Sequence, residues 1–265
     1  MRVYATCTIK GGVGKTTAAV NLAHLCAAGG HRTLLWDLDP QGAASFLLRI
    51  RPRVKGGGKA LIRGSRALGD AIKETDFDNL DLLPADFSYR AMDLLLAAAG
   101  GKRAGRIAGL LRPLAADYDA AFLDCPPGIS LLSENVLRAA DVLLVPLIPT
   151  ALSLRTLDQL TGFVAGFDGR RPRVLAFVAM ADRRKRLHRE LTDNLSAERP
   201  GVAGTVIPAL SVIERMSAER APVTAFAPRS RAARAYRALW AELPQPAAGR
   251  AAGGRARVAV ARQGR

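Results

Sequence analysis

A glycine-rich segment near the N-terminus constrains this chain more than any other feature of its sequence. Residues 10–17 read Lys-Gly-Gly-Val-Gly-Lys-Thr-Thr, between an apolar run and a stretch in which Val20, Leu22 and Leu25 recur at helical spacing. A tight glycine-rich turn from a strand into a helix directs several backbone N–H groups at one point, and the helix dipole adds positive potential there. Because phosphate is the natural occupant of such a turn, the segment predicts a phosphate-binding loop on an α/β fold.

The side chains of the segment suit the phosphates of a nucleotide. The glycines allow the backbone to approach the ligand closely, and Lys15 supplies a positive charge to the β- and γ-phosphates. The Thr16 hydroxyl is expected to ligate Mg²⁺, and Thr17 to reach the α-phosphate. The residues predicted to bind the nucleotide through this loop are Gly11, Gly12, Val13, Gly14, Lys15, Thr16 and Thr17.

Strand and helix patterns alternate along most of the chain. Helical spacing over 15–28 ends at Gly29 and Gly30. Strands are predicted at 2–9, 33–38, 80–84, 119–125, 141–147, 173–180 and 202–207. Such alternation means parallel strands joined by right-handed crossovers. We therefore expect a doubly wound, mostly parallel α/β sheet with helices on both faces, as in P-loop NTPases.

Two acidic segments follow predicted strands. Residues 34–42 read Leu-Leu-Trp-Asp-Leu-Asp-Pro-Gln-Gly, and strand alternation places Asp37 and Asp39 on the same side. Residues 121–128 read Ala-Phe-Leu-Asp-Cys-Pro-Pro-Gly, an apolar strand that ends in a carboxylate. Because parallel strands end at one edge of the sheet, both segments are expected beside the phosphate loop. Asp124 is the predicted ligand of Mg²⁺, directly or through water.

Together these segments resemble the motifs of the ParA/MinD family of ATPases. An ordinary phosphate loop has a glycine at position 9, whereas this chain has Ile9 followed by Lys10, as in the family's deviant Walker A motif. Residues 37–42 and 124–127 are similar to the family's Asp-x-Asp-Pro-Gln-Gly and Asp-x-Pro-Pro segments. Further stretches that look like ParA-type partition ATPases extend the likeness over roughly residues 1–243; they are 83–85, 145–147, 179–184 and 206–208.

The resemblance implies roles for several residues. In the family the extra lysine reaches the nucleotide of a partner subunit, which gives Lys10 a catalytic role beside Lys15. The second aspartate of the first acidic segment orients the hydrolytic water, which gives Asp39 that role and a place near the metal. Asp37 is expected to brace the loop. The implied cofactors are ATP and Mg²⁺, and the implied assembly is an ATP-dependent homodimer.

The resemblance also bears on the base and on DNA. Family members pack the adenine near the later stretches, so Met180 and Pro208 are expected to contact it. Many chromosomal members have a basic residue shortly after that proline, but residues 208–215 here read Pro-Ala-Leu-Ser-Val-Ile-Glu-Arg. A DNA contact at that place therefore does not carry over.

Charge indicates what kind of partner the chain binds. The sequence has 39 Lys and Arg against 23 Asp and Glu, a formal net charge of +16, which favours nucleic acid or an anionic membrane surface. An Ala- and Arg-rich composition from biased codon usage is the alternative. The predicted DNA contacts, which carry no sequence preference, are Arg183, Arg184, Lys185, Arg186 and Arg189, with further arginines at 229, 231 and 234. A solvated helix face is the alternative for this cluster.

Two basic stretches interrupt the strand and helix pattern. Residues 49–66 contain seven Lys and Arg, no acid and three successive glycines, which predicts a mobile basic loop. From Pro244 onward no apolar period remains, which predicts a disordered basic tail over 244–265 after an ATPase domain over 1–243.

The favoured function is an ATPase that partitions or positions DNA or another cargo. It is expected to bind nonspecific DNA as an ATP-bound dimer on the nucleoid in the cytoplasm, and to be released by a ParB-like activator or a cargo adaptor. The alternative is a MinD-like ATPase at a membrane surface. Residues 254–265 offer two valines but no Leu, Ile, Phe or Trp, so no stable membrane anchor is expected.

The cysteines bear on a third reading, a relative of the nitrogenase iron protein. That reading needs paired cysteines between two subunits, and no cysteine follows Cys125. Cys7, Cys26 and Cys125 form no close Cys-x-x-Cys pair, which argues against a disulfide framework and a zinc site. We expect buried, reduced thiols. No signal peptide or membrane-spanning run is predicted.

Overall fold

A central sheet of eight strands organises the computed structural model, which describes residues 1–99 and 105–247. The strands are β1 Arg2–Thr6, β2 Thr33–Asp37, β3 Lys73–Glu74, β4 Leu80–Leu83, β5 Ala120–Asp124, β6 Val142–Leu147, β7 Arg173–Ala181 and β8 Val202–Pro208. Their order in the sheet is β3-β4-β2-β5-β1-β6-β7-β8, and every neighbouring pair is parallel except β3 with β4. The predicted fold class is confirmed.

Helices cover both faces of this sheet, as predicted. They are α1 Lys15–Ala28, α2 Ala43–Leu47, α3 Gly57–Arg63, α4 Met92–Ala98, α5 Arg106–Leu111, α6 Leu131–Ala139, α7 Ala151–Ala165, α8 Arg186–Thr192, α9 Leu195–Glu198, α10 Ser211–Glu214, α11 Met216–Glu219, α12 Val223–Phe226 and α13 Arg231–Glu242. Apolar residues of α1 and α13 pack on one face of the sheet, and those of α4 to α7 pack on the other.

The strands alternate between these two cores. Val3 and Ala5 of β1 belong to the core beneath α6, whereas Tyr4 belongs to the core beneath α1. The Tyr4 ring stacks on Phe122 of β5, with the ring centroids 4.6 Å apart. Because both faces are covered, the central strands are apolar almost throughout, as in Val-Leu-Leu-Val-Pro-Leu of β6.

All seven predicted strands are present, with small differences at their ends. The strand predicted at 2–9 ends at Thr6, because the chain turns there to enter the glycine-rich loop. The Thr8 hydroxyl donates to the Lys10 carbonyl at 2.7 Å, and the Gly128 N–H donates to the Thr8 carbonyl at 3.0 Å. The sequence did not predict β3, since two exposed residues have no apolar alternation.

The prediction of a mobile loop over 49–66 is wrong. Residues 57–63 form α3, in which Leu61 and Ile62 are buried. The Val54 N–H donates to the Asp86 carboxylate at 2.8 Å, so the approach to the helix is also held in place. The segment therefore packs on the fold, and its exposed side is basic.

The glycines of this segment serve packing rather than mobility. Gly57 has φ of +60°, and a Cβ added there would lie 2.5 Å from the Ser88 hydroxyl oxygen. The neighbouring Gly58 N–H donates to the same hydroxyl at 2.8 Å. In the sequence this glycine run suggests a flexible loop. In the structure glycine is needed because the backbone is left-handed at Gly57 and because Ser88 packs closely against it.

The beginning of the predicted tail lies against the fold. The Tyr4 hydroxyl donates to the Pro244 carbonyl at 2.5 Å, and Arg2 donates to the Gln245 carbonyl at 2.5 Å. The rest of the predicted tail, residues 248–265, lies outside the described residues. Among the residues that are described, no helix has both the length and the apolar character needed to cross a membrane.

Candidate nucleotide-binding site

A cleft of about 810 Å³ opens at the carboxyl ends of the central strands. One side consists of the glycine-rich loop and the first turn of α1. The other sides come from the segment after β2, the two prolines after β5, the ends of β7 and β8, and residues 209–217. Crevices at this edge of a parallel sheet are where α/β proteins bind ligands.

The backbone of the loop is shaped for an anion. Gly12 has φ of +71° and Gly14 has φ of +93°, a left-handed conformation that favours glycine. Gly14 is the N-cap residue that precedes α1, and no side chain among the described residues caps that helix. The N–H groups of the first turn of α1 are therefore left for a ligand in the cleft.

The two lysines of the loop occupy different environments. Lys15 is 7% exposed and lines the cleft. Lys10 is exposed, does not line the cleft, and forms no ion pair with any described acidic residue. One lysine thus serves the cleft of its own chain, while the other presents its charge to the outside.

Asp124 lies beneath the loop with one oxygen that lacks a partner. The residue is fully buried, and its Oδ1 accepts from the Thr6 hydroxyl across the β1–β5 pair at 3.1 Å. Its Oδ2 has no hydrogen-bond partner among the described residues. Burial raises the pKa of Asp124, and the nearby Asp37 carboxylate raises it further, while the hydroxyl of Thr16 and the charge of Lys15 oppose the shift.

A buried carboxylate oxygen without a partner suits a divalent cation. Leaving such a group unsatisfied is costly, and a bound cation removes the cost. Mg²⁺ takes few protein ligands and completes its shell with phosphate oxygens and water. The residues present therefore fit Mg²⁺, which Thr16 and Asp124 would hold between the loop and β5, with Asp39 at the edge of the same cleft.

The two aspartates after β2 have separate surroundings. Asp37 Oδ2 accepts from the Ser45 N–H and hydroxyl, both at 2.7 Å, so Asp37 braces the segment from β2 to α2. Asp39 lines the cleft, and its carboxylate accepts from the Gln41 N–H at 3.0 Å. The prediction assumed that strand alternation extends to Asp39. It does not, because β2 ends at Asp37.

Most of the predicted nucleotide contacts come together around the cleft. The predicted residues that line it are Gly11, Gly12, Gly14, Lys15, Thr16, Thr17, Asp39, Met180 and Pro208. Three predicted residues do not line it. Lys10 is exposed outside the cleft, Val13 is 3% exposed in the core, and Asp124 is buried below the loop.

The end of the cleft that is remote from the phosphate loop is largely apolar. Met180 is 45% exposed and has φ of +56°, a conformation that is uncommon for a residue with a side chain. The β7–β8 register shifts between Val178 and Ala181, which accompanies this local distortion. Sequence reasoning missed Ile207, Leu210, Ile213 and Met216, which complete the wall with Met180 and Pro208.

Sequence reasoning also missed a buried asparagine that connects the two ends of the cleft. The Asn21 amide of α1 donates to the Thr17 carbonyl at 2.8 Å and contacts the Met216 sulfur at 3.2 Å. Its Oδ1 accepts from the Thr224 N–H at 3.1 Å. Because Thr17 and Met216 both line the cleft, Asn21 fixes α11 and α12 relative to the phosphate loop. The only indication of this role in the sequence was that Asn21 is a polar residue on the otherwise apolar side of α1.

The predicted DNA-contacting residues lie beside the cleft rather than in it. Arg183, Arg184, Lys185, Arg186 and Arg189 are exposed, in the turn after β7 and on α8. We call these five residues together with Arg231, which begins α13, the basic surface. Arg183 and Arg231 border the same two surface hollows of about 270 and 350 Å³. Pro208 borders both hollows and the cleft, so the basic surface adjoins the end of the cleft that is remote from the phosphate loop.

Two members of the basic surface have acidic neighbours. Arg184 pairs with Asp182 at 2.9 Å, and Arg186 pairs with Glu190 at 2.5 Å. Both arginines are almost fully exposed, and ion pairs in such positions are weak. Their charges therefore remain accessible to a polyanion.

The three cysteines are buried and form no disulfide, as predicted. Burial raises the pKa of Cys125, next to Asp124, so its thiol stays protonated. A protonated, buried thiol is a poor nucleophile.

The family assignment follows from comparison with known proteins. A family model described as an AAA domain matches residues 1–175. The chain is 38% identical over 161 residues to the chromosome partitioning protein ParA of Myxococcus xanthus, covering 60% of this chain and 56% of that protein. It is 31% identical over 241 residues to the sporulation initiation inhibitor protein Soj of Bacillus subtilis, covering 89% of this chain and 95% of that protein. The chain belongs to the ParA/MinD family of P-loop ATPases.

A solved structure has a fold similar to that of this chain. The cobyrinic acid a,c-diamide synthase of Mycobacterium smegmatis, solved with bound ADP and magnesium, has a TM-score of 0.76 and 26% identity. The match covers 91% of this chain and 93% of that one. The family model and the two relatives confirm the resemblance to the ParA/MinD family that the sequence motifs indicated.

We predict that Asp124→Asn makes the nucleotide-free ParA/MinD-type fold more stable while removing its response to Mg²⁺ and ATP. Because the folded pKa of Asp124 is raised, the unfolded chain binds fewer protons between the two pKa values, and stability falls as pH rises through that window. Removing the charge should add about 1–3 kcal/mol at pH 8 and less at pH 5. Thermal unfolding at both pH values, with and without Mg²⁺-ATP, measures this.

The matched control is Asp119→Asn. The Arg32 guanidinium holds the pKa of Asp119 low, so that substitution should reduce stability and leave the response to nucleotide unchanged. If Asp124→Asn unfolds at a lower temperature than the parent at pH 8, or is still stabilised by Mg²⁺-ATP, the role given to Asp124 is wrong.

Proposed function

We propose that this chain is a Mg²⁺-dependent ATPase that dimerises on ATP and partitions or positions DNA or another cargo. The observation that carries this proposal is the contrast between its two loop lysines, one buried in the cleft and one exposed beside it. In the cytoplasm, the ATP-bound dimer would lie on the nucleoid. ParA of M. xanthus is named for chromosome partitioning, which supports the cargo class.

The groups around the cleft match what phosphoryl transfer to water requires. Such a reaction needs little covalent chemistry from a protein, but it needs positive charge near the γ-phosphate, a metal and an oriented water. Lys15 and the free N–H groups of α1 would bind the phosphates, and Thr16 with Asp124 would hold Mg²⁺, which would supply further positive charge beside the phosphates. Asp39 orients the attacking water. The ADP and magnesium in the M. smegmatis structure support ATP and Mg²⁺ as the cofactors.

The exposed lysine explains why two copies are needed. Lys10 directly precedes Gly11, which lines the cleft. Lys10 itself neither lines the cleft nor forms an ion pair with a described acidic residue. A second copy placed against this edge of the sheet brings its own Lys10 to the first copy's nucleotide, and the exchange is mutual in a two-fold dimer. ATP then stabilises the dimer because each nucleotide contacts both subunits.

The basic surface supports nonspecific DNA as the partner of the dimer. Contacts between arginines and phosphates supply affinity without sequence information. The basic surface of one copy presents five arginines and one lysine, and that of a dimer presents twice that number. An ATP-bound dimer therefore binds DNA more tightly than a monomer. A ParB-like activator or cargo adaptor would trigger hydrolysis and so release the dimer from DNA.

A membrane-surface role like that of MinD is the second candidate for this family. It depends on a C-terminal amphipathic segment, and the corresponding residues lie outside the described ones. Retention on anionic liposomes, measured beside retention on duplex DNA, separates the two functions.

The roles of the three site residues are tested by alanine substitutions of Lys15, Asp39 and Lys10. Lys15→Ala should abolish ATP binding, because the β- and γ-phosphates lose their counter-charge. Asp39→Ala should bind ATP and accumulate as a dimer, because only the water loses its orienting group. Lys10→Ala should bind ATP but remain a monomer. Equilibrium ATP binding and size-exclusion chromatography with Mg²⁺-ATP distinguish these outcomes.

A different result from these alanine variants would contradict each assigned role. Normal hydrolysis by Asp39→Ala removes Asp39 from the mechanism. Dimer formation by Lys10→Ala to the same extent as the parent removes Lys10 from the interface.

DNA binding by the basic surface is tested by Arg183→Ala, Arg184→Ala and Arg186→Ala combined. Each lost phosphate contact should reduce the slope of log K against log salt by about 0.9, so both affinity and salt dependence should fall. ATP binding and dimer formation should be unchanged. Fluorescence anisotropy with a nonspecific duplex, measured across a salt series with Mg²⁺-ATP, provides the slope.

Two further chains isolate the basic surface from other sources of charge. The first, Arg51→Ala, Lys55→Ala and Lys59→Ala combined, removes three exposed charges from the 49–66 segment and controls for net charge. The second ends at Ala247 and lacks the rest of the basic tail, while it keeps the contacts of Pro244 and Gln245 with the fold. If the variant of Arg183, Arg184 and Arg186 binds DNA like the parent while the shortened chain does not, the tail is the contact.

A further inference from the structure

The four tyrosines of the chain allow an internal comparison. The hydroxyl of Tyr4 donates to the Pro244 carbonyl at 2.5 Å, and that of Tyr89 donates to the Pro84 carbonyl at 3.3 Å. The hydroxyl of Tyr118 donates to the Asp81 carboxylate at 2.6 Å. These three tyrosines are at most 4% exposed, and each buried phenol has found an acceptor, as is usual in folded proteins.

Tyr236 is the exception. It is 3% exposed, yet its hydroxyl has no hydrogen-bond partner in the described part of the chain. Burial raises the pKa of Tyr236, so the group stays a neutral phenol that can both donate and accept. The Tyr236 hydroxyl is not among the described buried polar atoms that lack a partner, so its oxygen is accessible from the cleft that Tyr236 lines. It is therefore available to a molecule outside the chain.

The position of Tyr236 shows where that partner lies. Tyr236 is on α13, on the side that packs between α1 and β8, and it lines the nucleotide cleft. The same wall of the cleft contains Pro208 and Met216. What remains exposed of Tyr236 therefore faces the space that a nucleotide would fill.

Two other polar groups of this wall are already used, and the exposed Glu214 carboxylate, which also lines the cleft, can only accept while it is ionised. The Ser217 hydroxyl donates to the Glu214 carbonyl at 2.9 Å, and the Ala209 N–H donates to the Ala181 carbonyl at 2.9 Å. Pro208 has no N–H to offer. In a largely apolar wall, the Tyr236 hydroxyl is thus an available group that can both donate to and accept from a polar ligand edge, and orienting such an edge is the usual role of the few polar groups in a small-molecule site.

We propose that Tyr236 recognises the nucleoside part of the bound nucleotide through a hydrogen bond from its hydroxyl. The inference rests on the nucleotide binding proposed above, and it adds a recognition residue remote from the phosphate loop. The phosphates are held by Lys15 and the first turn of α1. The nucleoside extends from them toward the wall that Tyr236 shares with Pro208, where a purine and its ribose offer both donors and acceptors.

Tyr236→Phe tests the proposal, since it removes one oxygen and keeps the ring. Binding of Mg²⁺-ATP should weaken about threefold to tenfold, the usual effect of one lost hydrogen bond. Binding of inorganic triphosphate with Mg²⁺, which has no nucleoside, should be unchanged. The nucleotide-free variant should unfold at the same temperature as the parent or higher, because no internal hydrogen bond is lost.

Tyr118→Phe is the matched control. It removes a hydroxyl that donates to Asp81 away from the cleft, so it should lower the unfolding temperature and leave ATP affinity unchanged. Isothermal titration calorimetry and thermal unfolding on the full chain provide both quantities for all three proteins.

The outcomes separate this inference from the proposed function. Equal ATP affinity in Tyr236→Phe and the parent overturns the inference, and so does an equal loss for ATP and inorganic triphosphate. A parent chain that binds neither ligand overturns the proposed function itself.

Discussion

The site depends on three ionisable groups held out of water at one edge of a parallel sheet. Asp37 and Asp124 are fully buried, and Lys15 is nearly so. Burial raises the pKa of both carboxylates, and the Asp37 carboxylate raises that of Asp124 further, so the nucleotide-free fold holds an unfavourable arrangement of charge. Hydrogen bonds from Ser45 and Thr6 offset part of this cost. A cation beside Asp124 and phosphates beside Lys15 would offset the rest, so stability and nucleotide binding oppose each other here.

The sheet order explains how distant segments reach this edge. β1 lies between β5 and β6, and β2 lies on the far side of β5, so Thr6, Asp37 and Asp124 come from three strands within one layer. These strands and the loop were predictable because apolar runs, glycines and terminal carboxylates are local signals. The orientation of Asp39 was not predictable, since it depends on where β2 ends and on the turn that Asp37 holds through Ser45.

The features that the sequence did not reveal depend on long-range packing. The glycines at 56–58 read as a loop, but contact with Ser88, about thirty residues later, determines their conformation. Asn21 meets Thr224 across 203 positions. Tyr236 reaches the cleft only because α13 returns to pack on α1 and β8. Composition cannot show such contacts, and a polar residue on an apolar helix face is the most that the sequence offers.

The arrangement connects the two ends of the cleft with the basic surface. Asn21 ties the phosphate loop to α11 and α12, and Pro208 borders both the cleft and the basic surface. A nucleotide that fills the cleft therefore touches elements that also carry the arginines. In the proposed dimer, the same nucleotide would also contact Lys10 of the second copy. Under the proposed function, this single ligand would influence both assembly and polyanion binding.

The central claim is that one copy of the chain does not contain a complete hydrolytic site. The most direct test is the specific ATPase activity at saturating Mg²⁺-ATP, measured over a wide range of protein concentration without DNA or other proteins. The account predicts a slow rate whose value per chain rises with protein concentration and then levels off, because Lys10 must come from a second copy. A specific activity that is constant down to concentrations at which the chain is monomeric would contradict it.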